Sequence, residues 1–177
     1  MATFKTSWMT IKPTLEKILS TTAITRKEFV VVLQIIHDLC NMDWHHSQAI
    51  SKAELLYYSL DELITEYVSN KALELEICEN HEGRLREYES AWRKFKKSIE
   101  VLSVIFRSFN NHWAGSFNNS LDRNESHRQV TDTSTLCIDI WKREMLEKSC
   151  AAIKKSIDQM KLNLSANTGS NWEFHNV

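Results

Sequence analysis

The chain has 177 residues, of which 42% are hydrophobic and 25% charged, and this composition is that of a globular protein rather than a disordered one. Its formal net charge of −1 provides no basic excess for binding phosphates, which argues against a nucleic-acid partner. The chain contains only three Gly and one Pro. Because all-β folds need frequent turn residues, this scarcity favours helices.

The sequence has no run of about 18 apolar residues, and its N-terminus lacks a signal-peptide core. We therefore expect a soluble protein of the cytoplasm, the nucleus or both, with no membrane partner. The four cysteines are widely spaced and form no C-x-x-C pair; they are Cys40, Cys78, Cys137 and Cys150. This pattern predicts free, buried thiols in a reducing compartment, and a disulfide pair is the alternative.

Two helices are predicted in the first 42 residues. Residues 8–19 carry apolar side chains at helical spacing, and because Pro13 is tolerated only near a first turn, we expect this helix to begin at Ile11 or Lys12. Thr25 and Glu28 have the spacing of a capping box, which predicts a second helix over residues 26–42. The β-branched run at residues 29–33 is also compatible with a strand, but no turn residues bound it and no second strand is available for pairing.

The central feature of the sequence is a long amphipathic stretch at residues 85–113, which we call the spine. Its large apolar residues recur at steps of three or four, which is one face of an α-helix. They are Leu85, Tyr88, Trp92, Phe95, Ile99, Leu102, Ile105 or Phe106, Phe109 and Trp113. A stripe of this length needs other helices packed along it. The spine is preceded by a third predicted helix at residues 52–72. The acidic stretch at residues 69–83 extends either this third helix or the spine.

After the spine, residues 114–131 are polar and unpatterned, which is typical of a loop. The last predicted helix covers residues 134–164, and residues 165–177 are expected to be a disordered tail. The sequence therefore predicts an all-α bundle with a long central helix, in a single domain spanning residues 1–164.

No pattern of catalytic or metal-binding residues stands out. His45 and His46 are adjacent and point in different directions on a helix, and adding His37 or Asp43 gives no metal-ligand spacing. The glycine motifs of nucleotide sites and the G-x-S-x-G motif of hydrolases are absent. We therefore expect no enzyme activity, no metal and no cofactor. Residues 110–113 are typical of a helix C-terminus, and a recognition surface is the alternative interpretation.

Several short pieces, in this order, resemble the first N-terminal repeat of a cullin, the elongated scaffold of multisubunit ubiquitin ligases. They are Phe4 with Trp8; Phe29-x-x-x-Leu33 with Leu39-Cys40; Glu54-Leu-Leu-Tyr57-x-x-Leu60; Tyr88-x-x-x-Trp92; Ile105-Phe106 with Phe109-Asn-Asn-His-Trp113; and Ile140-Trp141-Lys-Arg-x-x-Leu146. Their order and spacing carry the resemblance over residues 4–164. The resemblance implies a five-helix cullin repeat.

The resemblance also implies a partner and a binding site. In the family, the second helix and a later helix of this repeat together grip an adaptor protein. The matching positions here are Phe29, Val30, Leu33 and His37 on the second helix, and Ser108, Phe109 and His112 at the end of the spine. The ending of the spine is similar to cullins that use a Skp-type adaptor, whereas residues 36–40 and 91–95 are similar to cullins that use elongin; a BTB-type adaptor is a third candidate.

This chain departs from the family at two points. The family commonly has Tyr where this chain has Leu33, His37 and Ser108, so adaptor binding is expected to be weak or directed at another partner. A full cullin continues to a C-terminal domain that recruits a RING protein, and no part of that domain matches here, so no RING partner is expected. Two hypotheses remain: a non-catalytic adaptor-binding module of a ubiquitin-ligase system, or a helical interaction protein with a decayed adaptor face, acting as a competitor or binding an unrelated partner.

Overall fold

The computed structural model describes residues 3–41, 51–78, 80–114 and 130–169. Within these ranges the chain is helical and contains no strand, which confirms the predicted all-α fold. Its six α-helices are α1 (Phe4–Leu19), α2 (Arg26–Asn41), α3 (Lys52–Ile77), α4 (His81–Ile105), α5 (Thr133–Trp141) and α6 (Lys148–Gly169). Two π-helical segments, Phe109–Ala114 and Lys142–Glu147, follow α4 and α5. Because α5, the second π segment and α6 are contiguous, the described residues form five helical rods.

Side-chain caps fix where the helices begin. At α2, the Thr25 hydroxyl accepts a hydrogen bond from the Glu28 N–H, and the Glu28 carboxylate accepts one from the Thr25 N–H. This reciprocal pair is the predicted capping box, and it confirms the helical interpretation of residues 29–33. Four other helices begin after a single capping side chain: Thr3 for α1, Ser51 for α3, Asn80 for α4 and Asp132 for α5.

The predicted start of the first helix at Ile11 or Lys12 is wrong, because α1 already begins at Phe4 and contains Pro13 in its interior. The Pro13 ring crowds the carbonyl of Met9, four residues earlier, and removes its hydrogen-bond donor. Both residues lie on the exposed side of α1, where water can hydrogen-bond to that carbonyl. The position of Pro13 on the outer face therefore allows the helix to continue through it.

The spine is the helix around which the bundle is built: α4 contacts each of the other five α-helices. Its predicted apolar stripe is largely buried, with Phe95, Leu102 and Phe106 completely inaccessible. The α-helical part ends at Ile105, however, and the predicted continuation to Trp113 follows a turn at Phe106 and then a π segment. The acidic stretch 69–83 extends both neighbours, since α3 runs to Ile77 and α4 starts at His81.

The C-terminal helix and the cysteines also depart from expectation. The last helix runs to Gly169, so residues 165–169 are helical rather than part of a tail. All four cysteines are free, but only Cys40 and Cys137 are buried, and Cys150 is exposed. None of the helices in the described ranges combines the length and the apolar character needed to span a membrane.

The centre of the core is an aromatic cluster around Phe95. Its ring stacks against Trp141 at a centroid distance of 5.0 Å and against Tyr67 at 6.1 Å, and it meets Trp92 at 6.5 Å. These rings come from α3, α4 and α5, so one side chain on the spine ties three helices together.

A buried carboxylate stabilises the second π segment. Glu144 is only 6% exposed, and it accepts hydrogen bonds from Ser69 at 2.8 Å, from Arg143 at 2.9 Å and from Lys148. The bond from Arg143 and then that from Lys148 lower the pKa of Glu144 from 4.5 to about 2, against the opposing effect of burial. Because Ser69 lies on α3, this network joins the π segment to its neighbour.

Replacing the ring at the centre of the cluster is expected to be costly. Phe95→Ala removes a fully buried aromatic side chain and leaves a cavity between three helices, so it should lower the free energy of unfolding by about 3–5 kcal/mol. Urea denaturation followed by circular dichroism measures this. Lys96→Ala on the exposed face is the control and should change stability by less than about 0.5 kcal/mol. A loss below about 1 kcal/mol for Phe95→Ala would contradict the central position of this ring.

The Glu144 network should make stability depend on pH. A carboxyl whose pKa is lower in the folded than in the unfolded state stabilises the fold above its unfolded pKa, and the stabilisation disappears as pH falls from about 4.5 to about 2. Over that range, wild type should lose roughly 2–3 kcal/mol more of its unfolding free energy than Glu144→Gln. Urea denaturation at several pH values tests this, with the exposed Glu147→Gln as control. If the unfolding free energy falls equally with pH in wild type and in Glu144→Gln, the Glu144 network contributes nothing to the pH dependence of stability.

Candidate protein-interaction surface

The outer face of α2 carries apolar side chains that the bundle does not cover. Val30 and Leu33 are 54% and 38% exposed, and His37 follows them at the spacing of one helical stripe. The opposite face of α2 packs into the core through Val32, Ile36, Leu39 and Cys40. Because the core fixes the rotation of α2 about its axis, the Val30–Leu33–His37 stripe must face away from the bundle.

A side-chain hydrogen bond joins this stripe to the end of the spine. The His37 ring nitrogen Nδ1 lies 3.1 Å from the hydroxyl oxygen of Ser108, 71 residues later in the chain. Val104, four residues before Ser108, is 45% exposed, and Arg107 and Asn111 are exposed as well. The two stretches predicted to act together therefore meet on one side of the molecule, which we call the α2–spine surface: Val30, Leu33, His37, Val104 and Ser108.

The two hydrogen-bond partners of His37 indicate the tautomer of its neutral ring. The amide nitrogen of Asn41 lies 2.8 Å from Nε2 of His37, and since an amide nitrogen only donates, Nε2 is the acceptor. In the neutral ring Nδ1 then carries the hydrogen and donates it to Ser108. Both ring nitrogens are thus engaged within the protein, and the imidazole is held between the last turn of α2 and the end of the spine.

The structure separates the seven predicted binding residues into different groups. Phe109 is only 1% exposed and stacks on Tyr57 at 5.9 Å, so its expected place on a contacting face is wrong; it supports the surface from beneath. Phe29 is half-buried against the core. Ser108 is half-buried beside His37, whereas Val30, Leu33 and His37 are exposed. The side chain of His112 lies outside the described part of the chain.

Sequence reasoning misses two of the exposed apolar residues near this surface. Val31 and Val104 are 38% and 45% exposed. The sequence could have indicated their exposure, since both lie off the apolar stripes that form the core.

Asn110 has a structural role, because its side-chain oxygen accepts hydrogen bonds from the N–H and the hydroxyl of Thr133 at 3.0 and 2.9 Å. It thereby joins the first π segment to the start of α5, which favours the helix-terminus interpretation of this position.

Other kinds of site find little support in the described residues. No group of three or more His, Cys, Asp or Glu side chains is placed there to hold a metal ion, and His45 and His46 lie outside those residues. A shallow cavity of about 180 Å³ between α1 and α3 is lined by Glu16, Leu19, Leu63, Glu66, Tyr67 and Asn70. Burial raises the pKa of Tyr67 in this cavity, and no nucleophile with an adjacent base accompanies it. The α2–spine surface is therefore the strongest candidate site.

Comparison with known protein families supports the resemblance read from the sequence. The family model described as the cullin alpha solenoid domain matches residues 8–168, nearly the whole chain. A comparison with curated proteins found no match. Since the matched segment is the helical bundle described above, the chain belongs to the cullin family and forms a cullin-like helical scaffold.

Proposed function

We propose that this chain is a non-catalytic module that binds an adaptor protein of a cullin-RING ubiquitin ligase through the α2–spine surface. The observation that carries the proposal is the His37–Ser108 contact, because it joins the two stretches that grip the adaptor in the family. The module would serve ubiquitin-dependent protein breakdown either as part of a ligase or as a competitor that sequesters the adaptor.

The chemistry of the surface sets the kind of contact it offers. Val30, Leu33 and Val104 are exposed aliphatic side chains, and each buries apolar area when a partner covers it. The Tyr side chains of the family are replaced by Leu33, His37 and Ser108, and a lost aromatic anchor costs about 2 kcal/mol, or roughly thirtyfold in affinity. We therefore expect micromolar rather than nanomolar binding to a Skp-type, elongin-type or BTB-type adaptor.

A titration of the purified chain with each adaptor class tests the proposal. Val30→Glu and Leu33→Glu place a charge in an apolar contact, where it loses its hydration, so each should weaken binding by about tenfold or more. Isothermal calorimetry measures the affinity. Met9→Glu, at a 66% exposed apolar position of α1, is the matched control and should bind like wild type. Absence of micromolar binding to all three classes would overturn the proposal.

The second candidate is a helical interaction protein whose adaptor face has decayed. It is favoured by one observation: His37 and Ser108 hydrogen-bond to each other at two positions where the family commonly offers Tyr to its partner. Such a protein would keep the scaffold and bind an unrelated partner.

Restoring the aromatic residues separates the two candidates. The triple variant Leu33→Tyr, His37→Tyr and Ser108→Tyr regains aromatic area on the surface, at the expense of the His37–Ser108 bond. If the face has decayed, adaptor binding should appear in this variant where wild type shows none. If the face is active, wild type already binds, and the variant should bind about tenfold or more tightly. Circular dichroism verifies that the triple variant keeps its helical content.

A further inference from the structure

Two stripes of side chains run through the α2–spine surface and continue past it at one end. Each stripe begins with a cation, continues with two aliphatic residues and ends with a polar residue, at steps of four, three and four. The stripes are Arg26, Val30, Leu33 and His37 on α2, and Lys97, Val101, Val104 and Ser108 on the spine. All of these side chains are exposed except Val101 and Ser108, which are half-buried.

The two stripes run in the same direction. Their polar ends meet in the hydrogen bond described above. At the other end, Ser98, which follows Lys97, donates its hydroxyl hydrogen to the carbonyl of Ile18 at 2.7 Å, in the last turn of α1. Lys17 in that same turn reaches the carboxylate of Glu28, in the first turn of α2, at 2.5 Å. The start of α2 therefore lies at the same end of the surface as Lys97.

Four exposed cations gather at this end, which we call the basic end: Arg26, Lys27, Lys94 and Lys97. Within the described part of the chain, none of these four side chains takes part in an ion pair. At the opposite end, Asp38 and Arg107 adjoin His37 and Ser108, so the charges there balance. Positive charge is therefore concentrated at one end of the surface.

The carboxylates nearest the basic end do not neutralise it. Glu28 is already held by Lys17, and it also accepts hydrogen bonds from the N–H and the hydroxyl of Thr25. Glu100 lies outside the spine stripe, one helical turn after Lys96. The excess of positive charge is thus left for something outside the described residues.

The stability of α2 does not explain these cations. Arg26 and Lys27 are the first two residues of the helix, where the helix dipole already places partial positive charge. Cations at that position are unfavourable for the helix itself. An anion bound there would interact favourably both with the two side chains and with the N-terminus of α2.

We propose that the partner of the α2–spine surface is a protein segment in which aliphatic side chains are followed by a group of Asp or Glu carboxylates. This inference rests on the proposed function and specifies it: the adaptor places its carboxylates on the basic end and its aliphatic side chains on Val30, Leu33 and Val104. The reversed placement would put the carboxylates where no excess of cations exists. The charges therefore select one direction of the partner along the two stripes.

Charge reversal at the head of both stripes tests the inference, with isothermal calorimetry against the three adaptor classes. The double variant Arg26→Glu with Lys97→Glu should raise the dissociation constant by about tenfold or more at about 50 mM salt. Raising the salt to about 500 mM should weaken binding of wild type severalfold and change binding of the variant much less. Glu at position 26 suits the helix dipole, and circular dichroism verifies that the helical content is kept.

The matched control is Lys154→Glu with Lys155→Glu, which changes the net charge by the same amount. Both lysines are exposed on α6, next to Ser156, which lies 3.1 Å from His81 at the start of α4 and thus at the other end of the spine. This control should bind like wild type. The exchange Arg26→Lys with Lys97→Arg keeps both charges and should retain the affinity within about threefold.

The outcomes separate this inference from the function on which it rests. If an adaptor binds and the double reversal at Arg26 and Lys97 leaves its affinity unchanged, the inference is overturned and the proposed function stands. The inference is also overturned if the α6 control weakens binding equally, since net charge would then account for the effect. Absence of micromolar binding to all three classes overturns the proposed function, and this inference with it.

Discussion

Burial of the apolar stripe of α4 is the constraint on which the structure depends. A 25-residue helix with large side chains along its whole length cannot cover them by itself, so five other helices pack around it. Phe95 lies at the centre of this packing, since its ring stacks on aromatic rings from both α3 and α5. Each neighbouring helix must turn its apolar face inward, and its orientation follows from that requirement.

The α2–spine surface is a consequence of the same packing. Because Val32, Ile36 and Leu39 point into the core, α2 has one permitted rotation, and this rotation leaves Val30 and Leu33 outside. The burial of Phe109 against Tyr57 similarly holds the end of the spine so that Ser108 reaches His37. The same helices form both the core and the α2–spine surface. A core substitution that rotates α2 would therefore also move the exposed residues of that surface.

Periodicity in the sequence is sufficient to predict the helices and most of the core, because the stripe of the spine and the capping box of α2 are local patterns. It fails where the outcome depends on tertiary position. Pro13 is tolerated because it lies on the outer side of α1. The family resemblance assigns Phe109 to the surface, although its spacing from Phe106 and Trp113 already places it on the buried stripe. The His37–Ser108 contact joins residues 71 positions apart, and no local pattern specifies it.

The fold alone leaves the choice of partner open, and under the proposed function the chemistry of the α2–spine surface would decide it. Both ring nitrogens of His37 are occupied, one by Asn41 and one by Ser108. A partner at this surface would therefore find few directional hydrogen bonds and would meet mainly aliphatic side chains. Such contacts discriminate by shape and apolar area, whereas a tyrosine hydroxyl would also require a matching polar group. Under the proposed function, the replacements at Leu33, His37 and Ser108 would change the basis of adaptor recognition as well as its strength.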